Sequence, residues 1–235
     1  MVIAIYEFCN LVQISKIVPL AIGTTFYYFF TFGGLEHSNL ILSFLAIAII
    51  SSIKAMLFLF AKHTTTYSQF DKYIYLIGYI ILSFLFITKI PFGIKGYNPK
   101  IILGIFILIW TNDTFAYIVG KSVGKNKLFE RISPKKTIEG FLGGLFFSIL
   151  AGILISKYYV NSSKSYTLYL WIGIATIVSI FGTIGDLIES KFKRVANVKD
   201  SGKIMPGHGG VLDRLDSVIF AAPFVYLLFQ ILNLI

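Results

Sequence analysis

The sequence predicts an all-α fold, a polytopic transmembrane helix bundle of about seven helices, and three observations carry that expectation. Of 235 residues, 56% are hydrophobic and only 14% charged, a balance that no water-soluble domain of this length needs to fill its core. Uncharged runs at 17–35, 37–53, 73–88, 140–156, 165–185 and 217–235, and a seventh at 101–120 broken only by Asp113, each approach the roughly 20 residues that cross about 30 Å of hydrocarbon. The runs are apolar on every side instead of alternating, so helices, not the strands of a membrane barrel, must satisfy their backbone hydrogen bonds.

Taken in order, residues 1–16 lack the early positive charge and the small-residue cleavage site of a secretory signal, the first basic residue being Lys16, so the first apolar run is expected to stay in the protein. The single cysteine, Cys9, excludes an intrachain disulfide, matches no metal-ligand spacing and reads as a small apolar residue. Lys54, near the inner end of the second run, reads as a snorkelling side chain. The breakers between Pro91 and Pro99 mark an external loop. Residues 1–100 thus form an N-terminal region of three helices with little chemistry, and 101–235 a second region with polar loops at 121–137 and 188–210. No internal repeat is visible.

A net charge of +10 would suggest nucleic acid as partner in a soluble protein, but here it serves orientation first. With the N-terminus inside, segments 1–16, 61–72, 121–137 and 188–210 place fourteen Lys and Arg in the cytoplasm, against five in 33–39, 89–100 and 157–167 outside. The positive-inside rule then predicts N-in and C-out, and no nucleic-acid partner is expected.

Function should lie beyond Trp110. Asp113, about 12 residues into its run and so roughly 18 Å from the outer end, must face other helices, water or a cation, or else pair with Lys54 or a loop lysine. The basic loop 121–137 is what orientation alone requires, yet Ser133-Pro134-Lys135-Lys136-Thr137 reads as a rigid turn delivering two ammonium groups to a helix N-terminus, which suits phosphate. The densest chemistry lies in 186–216, which holds five of the chain's eleven acidic residues. Asp213 and Asp216 are three apart at a helix start, so they share a face and can converge on one cation; helix capping accounts for one of them, not both. Gly207, Gly209 and Gly210 leave bare backbone for a bulky charged ligand. His208 either donates to a phosphate or fills the turn. Asp186 ends its run at the same level, and Lys193, Arg194, Lys199 and Arg214 supply positive charge for a polyphosphate. Carboxylates beside cationic groups indicate metal-assisted phosphoryl or nucleotidyl transfer.

These residues also carry a resemblance. Ser190-Lys191-Phe192-Lys193-Arg194, then Lys199-Asp200, Pro206-Gly207-His208-Gly209-Gly210 and Asp213-Arg214-Leu215-Asp216, resemble the long signature of the phosphatidate cytidylyltransferases, with Met205 where that family usually carries Leu, Ile or Phe. Asn112-Asp113-Thr114-Phe115-Ala116-Tyr117 and Ser133 to Gly140 add to it, so the resemblance covers about residues 110–220; the first hundred residues are short for the family. It implies a bacterial inner-membrane enzyme, active site facing the cytoplasm, that converts CTP and phosphatidate (phosphatidic acid) to CDP-diacylglycerol and diphosphate with Mg2+. It also implies membrane lipid as surroundings and leaves open a second, monovalent cation and a homodimer.

By position the resemblance implies Asp186, Asp213 and Asp216 at the metal and Lys199, Asp200, His208 and Arg214 at the reacting groups. Substrate contacts would come from Lys193, Arg194, Ser133, Lys135, Lys136, Asn112, Asp113, Gly209 and Gly210. Asp200 and Asp113 stay open between metal contact, base positioning and loop support. A CTP-using polyprenol kinase is the neighbouring alternative, which the Lys-Asp, Pro-Gly-His-Gly-Gly and Asp-Arg-Leu-Asp combination argues against. A small transporter with Asp113 and Asp186 as ion sites would place its charges at the midplane within repeats, and neither is seen in the sequence.

Overall fold

Each of the seven apolar runs folds as a helix in the computed structural model, which describes the chain apart from residues 33–37, 62–67, 94–95, 161–164, 206, 208, 233 and 235. They are α2 (Ile17–Phe32), α3 (Ser38–Phe60), α4 (Gln69–Lys89), α5 (Pro99–Val123), α6 (Ile138–Tyr159), α7 (Ser165–Val195) and α8 (Leu212–Ile231). The six from α3 to α8 are long and apolar enough to cross a bilayer, whereas α2 is shorter. One helix was not expected: α1 (Val2–Val12) occupies the stretch read as a leading segment.

Local chemistry starts the helices where the polar residues fall. Ser68 and Asp71 form a reciprocal capping box at the start of α4, and Asn98 caps α5 with Pro99 in its first turn. Between α4 and α5, β1 (Phe92–Gly93) pairs with β2 (Gly96–Tyr97) as a minimal hairpin. Between α5 and α6, β3 (Lys127–Phe129) pairs antiparallel with β4 (Ser133–Thr137). The segment Ser133 to Thr137 is therefore an extended strand, not the rigid turn its proline suggested. Inside α4 the ladder loosens to a π-helical stretch at Tyr75–Ile81, where the Ser51 hydroxyl of α3 donates to the Ile74 carbonyl at 3.1 Å.

Helix α7 continues about 14 Å beyond Asp186, so that residue does not end the helix as its run of uncharged neighbours suggested. The continuation is stable because Asp186, Glu189, Ser190 and Lys193 lie at helical spacing on one inward face, where their charges find partners. Lys54 likewise pairs with Asp71 across α3 and α4, not with Asp113.

The helices alternate in direction. One end of the bundle gathers α1, the end of α3, the β3–β4 hairpin and the start of α8. There Lys191 of α7 donates to the carbonyls of Phe58, Leu59 and Ala61 as α3 finishes, and Arg131 donates to Ala61 as well. An apolar core at this end joins α1, α4, α7 and α8: the Phe192 ring lies 5.2 Å from Phe8 and stacks on Tyr79 at 6.3 Å. Ala4, Ile5, Phe8 and Cys9 of α1 are fully buried in it, and burial pushes the Cys9 thiol up to about 11 against the smaller pull of Lys16. A second core around Phe86, Trp171 and Tyr226 fills the other end.

Candidate active site

Helices α5 and α6 approach closely because small residues face each other. A Cβ on Gly144 would lie 2.7 Å from the Asn112 carbonyl, and one on Gly140 2.6 Å from that of Ala116. Thr137 closes β4 and caps α6 through its hydroxyl, which accepts the Gly140 N–H at 3.1 Å. The two lysines before it are thereby held at the α6 N-terminus, and Lys136 meets Asp186 of α7 at 2.5 Å. Asp216 of α8 lies on the same cavity wall as Asp186, Lys136 and Asp113, so three carboxylates from three helices gather near one ammonium. Asp186 accepts the Ser190 hydroxyl at 3.3 Å, and Asp216 accepts the Ser217 N–H at 2.6 Å. Beside them the Asn112 amide donates to Asp113 at 3.3 Å, while its own oxygen is buried without a donor among the described residues.

A second group sits one turn earlier on α8. Lys193 forms ion pairs with Glu189 and, at 2.6 Å, with Asp213; the side chains of Lys193, Glu189 and Asp213 are 12%, 1% and 6% exposed. The other oxygen of Asp213 accepts the Ser201 N–H at 2.9 Å, the Ser201 hydroxyl at 2.8 Å and the Gly210 N–H at 2.7 Å. Gly209 has φ +83°, and a Cβ there would come within 2.7 Å of the same oxygen.

Both groups border a cavity of about 1040 Å3. Phe106, Trp110, Asp113, Tyr117 and Lys121 line it along one stripe of α5, running from apolar to basic. Asp113 is open to this cavity although protein surrounds it. Of the residues singled out from the sequence, Asn112, Asp113, Lys135, Lys136, Asp186, Lys193, Asp200, Asp213, Arg214 and Asp216 all contribute to its wall. Ser133, Arg194, Lys199, Gly209 and Gly210 are not part of that lining: Ser133 pairs with Phe129 in the hairpin, and Arg194 donates to the Val198 carbonyl at 3.4 Å. His208 lies outside the described residues.

A family model described as the cytidylyltransferase family matches residues 1–232. The chain belongs to the cytidylyltransferase family. Proteins named phosphatidate cytidylyltransferase from Staphylococcus aureus (strain COL), Staphylococcus haemolyticus (strain JCSC1435) and Staphylococcus epidermidis (strain ATCC 12228 / FDA PCI 1200) are each 43% identical to it over 152 residues. That match takes in 65% of this chain and 56% of each relative, so the chain spans about half the length of the curated relatives it matches.

Set within this cytidylyltransferase fold, the sequence-level pairing of Asp213 with Asp216 separates. Both belong to the first turn and a half of α8, but Asp213 turns to Lys193 and the Ser201 loop, where both its oxygens already have protein donors. Asp216 instead shares the cavity wall with Asp186 and Asp113. Gly209 and Gly210 let the backbone close around carboxylates of the protein itself, where the sequence had suggested bare backbone for a ligand, whereas Gly207, at φ +75°, borders open space.

Among the described residues no three His, Cys, Asp or Glu side chains come together so as to hold a metal ion. Mg2+ makes a smaller demand, since one or two carboxylates with substrate phosphates and water complete its shell. Asp186 and Asp216, on the wall of one cavity, are the two carboxylates that would meet that demand. Two contributors escaped the sequence reading. Glu189, inside the dense 186–216 segment, has no role in the sequence reading, and neither has Glu7, a lone acid in the apolar stretch Val2–Val12, although an isolated carboxylate in such a helix is itself a signal.

Proposed function

We propose that this protein transfers the cytidylyl group of CTP to phosphatidate, giving CDP-diacylglycerol and diphosphate. The observation that carries the reading is the two-sided cavity. Lys135, Lys136 and Arg214 offer positive charge for phosphates on one side, and Phe106, Ile109 and Trp110 offer an apolar wall on the other. An amphiphile with an anionic head and a polyanionic nucleotide both find matching surface there. A smaller apolar recess of about 200 Å3 shares Leu128, Phe141 and Thr183 with the main cavity and suits a hydrocarbon chain. The names of the staphylococcal relatives point the same way.

In this reading an oxygen of the lipid phosphate attacks the α-phosphorus of CTP, the bond from that phosphorus to the bridging oxygen breaks, and diphosphate leaves with the electron pair. A phosphate monoester, with a second pKa near 6, is largely a dianion at neutral pH, so no residue has to remove a proton. Lys135 and Arg214 hold the phosphates, Lys136 keeps Asp186 in place, and Asp113 with Asn112 orders the side facing the lipid. Asp216 and Asp186 would hold Mg2+, which supplies positive charge against the phosphate oxygens.

The test is product analysis. Purified protein in detergent with Mg2+ and phosphatidate is expected to place label from the α-phosphate of CTP in lipid and label from the γ-phosphate in diphosphate alone. γ-Label entering lipid would instead identify a lipid kinase and overturn the reading.

CTP is a cytoplasmic substrate, so the loop-rich end is proposed to face the cytoplasm of a bacterial inner membrane, as the fourteen-to-five distribution of basic residues supports. In a Cys9→Ala background, Ser122→Cys in intact cells is expected to resist a membrane-impermeant thiol reagent and Tyr97→Cys to react. The reverse pattern refutes this orientation.

A further inference from the structure

The N-terminus of α8 carries the Asp213-Arg214-Leu215-Asp216 run, yet Val211, the residue preceding the helix, contributes no side-chain cap. The cap comes from the far end of the chain. Glu7 of α1 is 1% exposed; its Oε1 accepts the Val211 N–H at 3.1 Å, and its Oε2 accepts the Leu212 N–H at 2.7 Å and the Ser201 hydroxyl at 3.3 Å. Asp213 takes the remaining donors, the N–H groups of Ser201 and Gly210, and shares the Ser201 hydroxyl. Two carboxylates, separated by the length of the protein, thus divide the amides on either side of the 199–212 loop.

The fit leaves no room for a side chain at Gly202 or Gly210. A Cβ on Gly202 would lie 2.3 Å from Glu7 Oε1, and one on Gly210 2.6 Å from both Glu7 oxygens. Unpaired N–H groups and the dipole at a helix start favour a carboxylate there, and burial strengthens the preference. The opposite side of the same segment faces the cavity through Asp200, Arg214 and Asp216.

We propose that Glu7 is a positioning residue for the nucleotide-facing segment, capping α8 from α1 and thereby holding Asp200, Arg214 and Asp216 at the cavity wall. The proposal rests on the reading that this segment receives the triphosphate of CTP. Helix α1 is in this view part of the catalytic architecture, and the chain's first turns set the geometry of its last helix.

The experiment uses Glu7→Gln in the full-length chain, because truncating α1 would also remove the Phe8 packing. Glutamine keeps the size and one acceptor but turns the other oxygen into an N–H2 that opposes a backbone N–H. The expected result is a KM for CTP raised about tenfold with kcat changed far less, since an interaction with a charged group is lost at the binding loop. Amide hydrogen exchange at Ser201, Val211 and Leu212 is expected to quicken about tenfold while exchange in α5 and α6 stays as it was. Exchange unchanged at these amides overturns the clamp, and a melting temperature that falls with KM for CTP unaltered reduces Glu7 to a structural residue and overturns the positioning role. If the unsubstituted protein yields no labelled lipid, the cytidylyltransferase reading fails, while the exchange measurement still decides whether Glu7 holds the loop.

Discussion

Asp216→Asn is expected to lower turnover about a hundredfold or more, because a charged oxygen is lost where positive charge must be held against the phosphates. The melting temperature in detergent should stay level or rise slightly. Asparagine can still accept the Ser217 N–H, and removing one of three carboxylates around Lys136 relieves repulsion with Asp186. Asp213→Asn is expected to behave differently. Its amide would turn an N–H2 toward either the Lys193 ammonium or the donors of Ser201 and Gly210, so the protein should melt earlier whatever happens to turnover. Turnover measured across a Mg2+ titration, beside thermal melts of both variants, separates the two aspartates. Near-normal turnover of Asp216→Asn with unchanged Mg2+ dependence would remove it from the metal site, and equal loss of melting temperature in both would refute their division of labour.

Lys193→Met should be the most destabilising single change at the loop-rich end. It leaves Glu189 and Asp213 buried without the ammonium between them, and breaking a buried ion pair from one side costs about 3–5 kcal/mol. On the scale of proteins this size that lowers the melting temperature by roughly 10 °C. Adding Glu189→Gln to Lys193→Met removes one of the stranded charges and should recover part of the loss, which simple loss of methylene packing would not allow. A melt of the single variant indistinguishable from the parent would show that the pair contributes nothing net.

The cavity-lining residues were legible in the sequence to the extent that charge inside an apolar chain is expensive. Asp113, Asp186 and Asp216 had to have partners, and Lys135, Lys136 and Arg214 were basic groups at the right level of the bundle. Their division into two groups was not legible. Positions three apart on a helix differ by about 60° in direction, which is close enough to suggest one ligand and far enough to meet different neighbours. Only the return of the Ser201 loop beneath Asp213 decides which of them has its oxygens taken up by protein donors.

What the sequence by itself determined is the bundle. The hydrocarbon interior leaves a long uncharged run no alternative to a helix, so seven of the eight helices among the described residues follow from composition and length alone. Tertiary structure decided what periodicity does not encode. The stretch Val2–Val12 is too short to span a bilayer and reads in the sequence only as part of a cytoplasmic segment, yet it folds as α1 because Phe8 finds Phe192 and Tyr79, and Glu7 finds the uncapped start of α8. The reach of α7 past Asp186 has the same origin, since its charges become tolerable only when Lys136 and Asp213 arrive from distant parts of the chain. A buried charge is acceptable in a fold when its partner is present, and that partner is fixed by which helices meet, a fact of three dimensions.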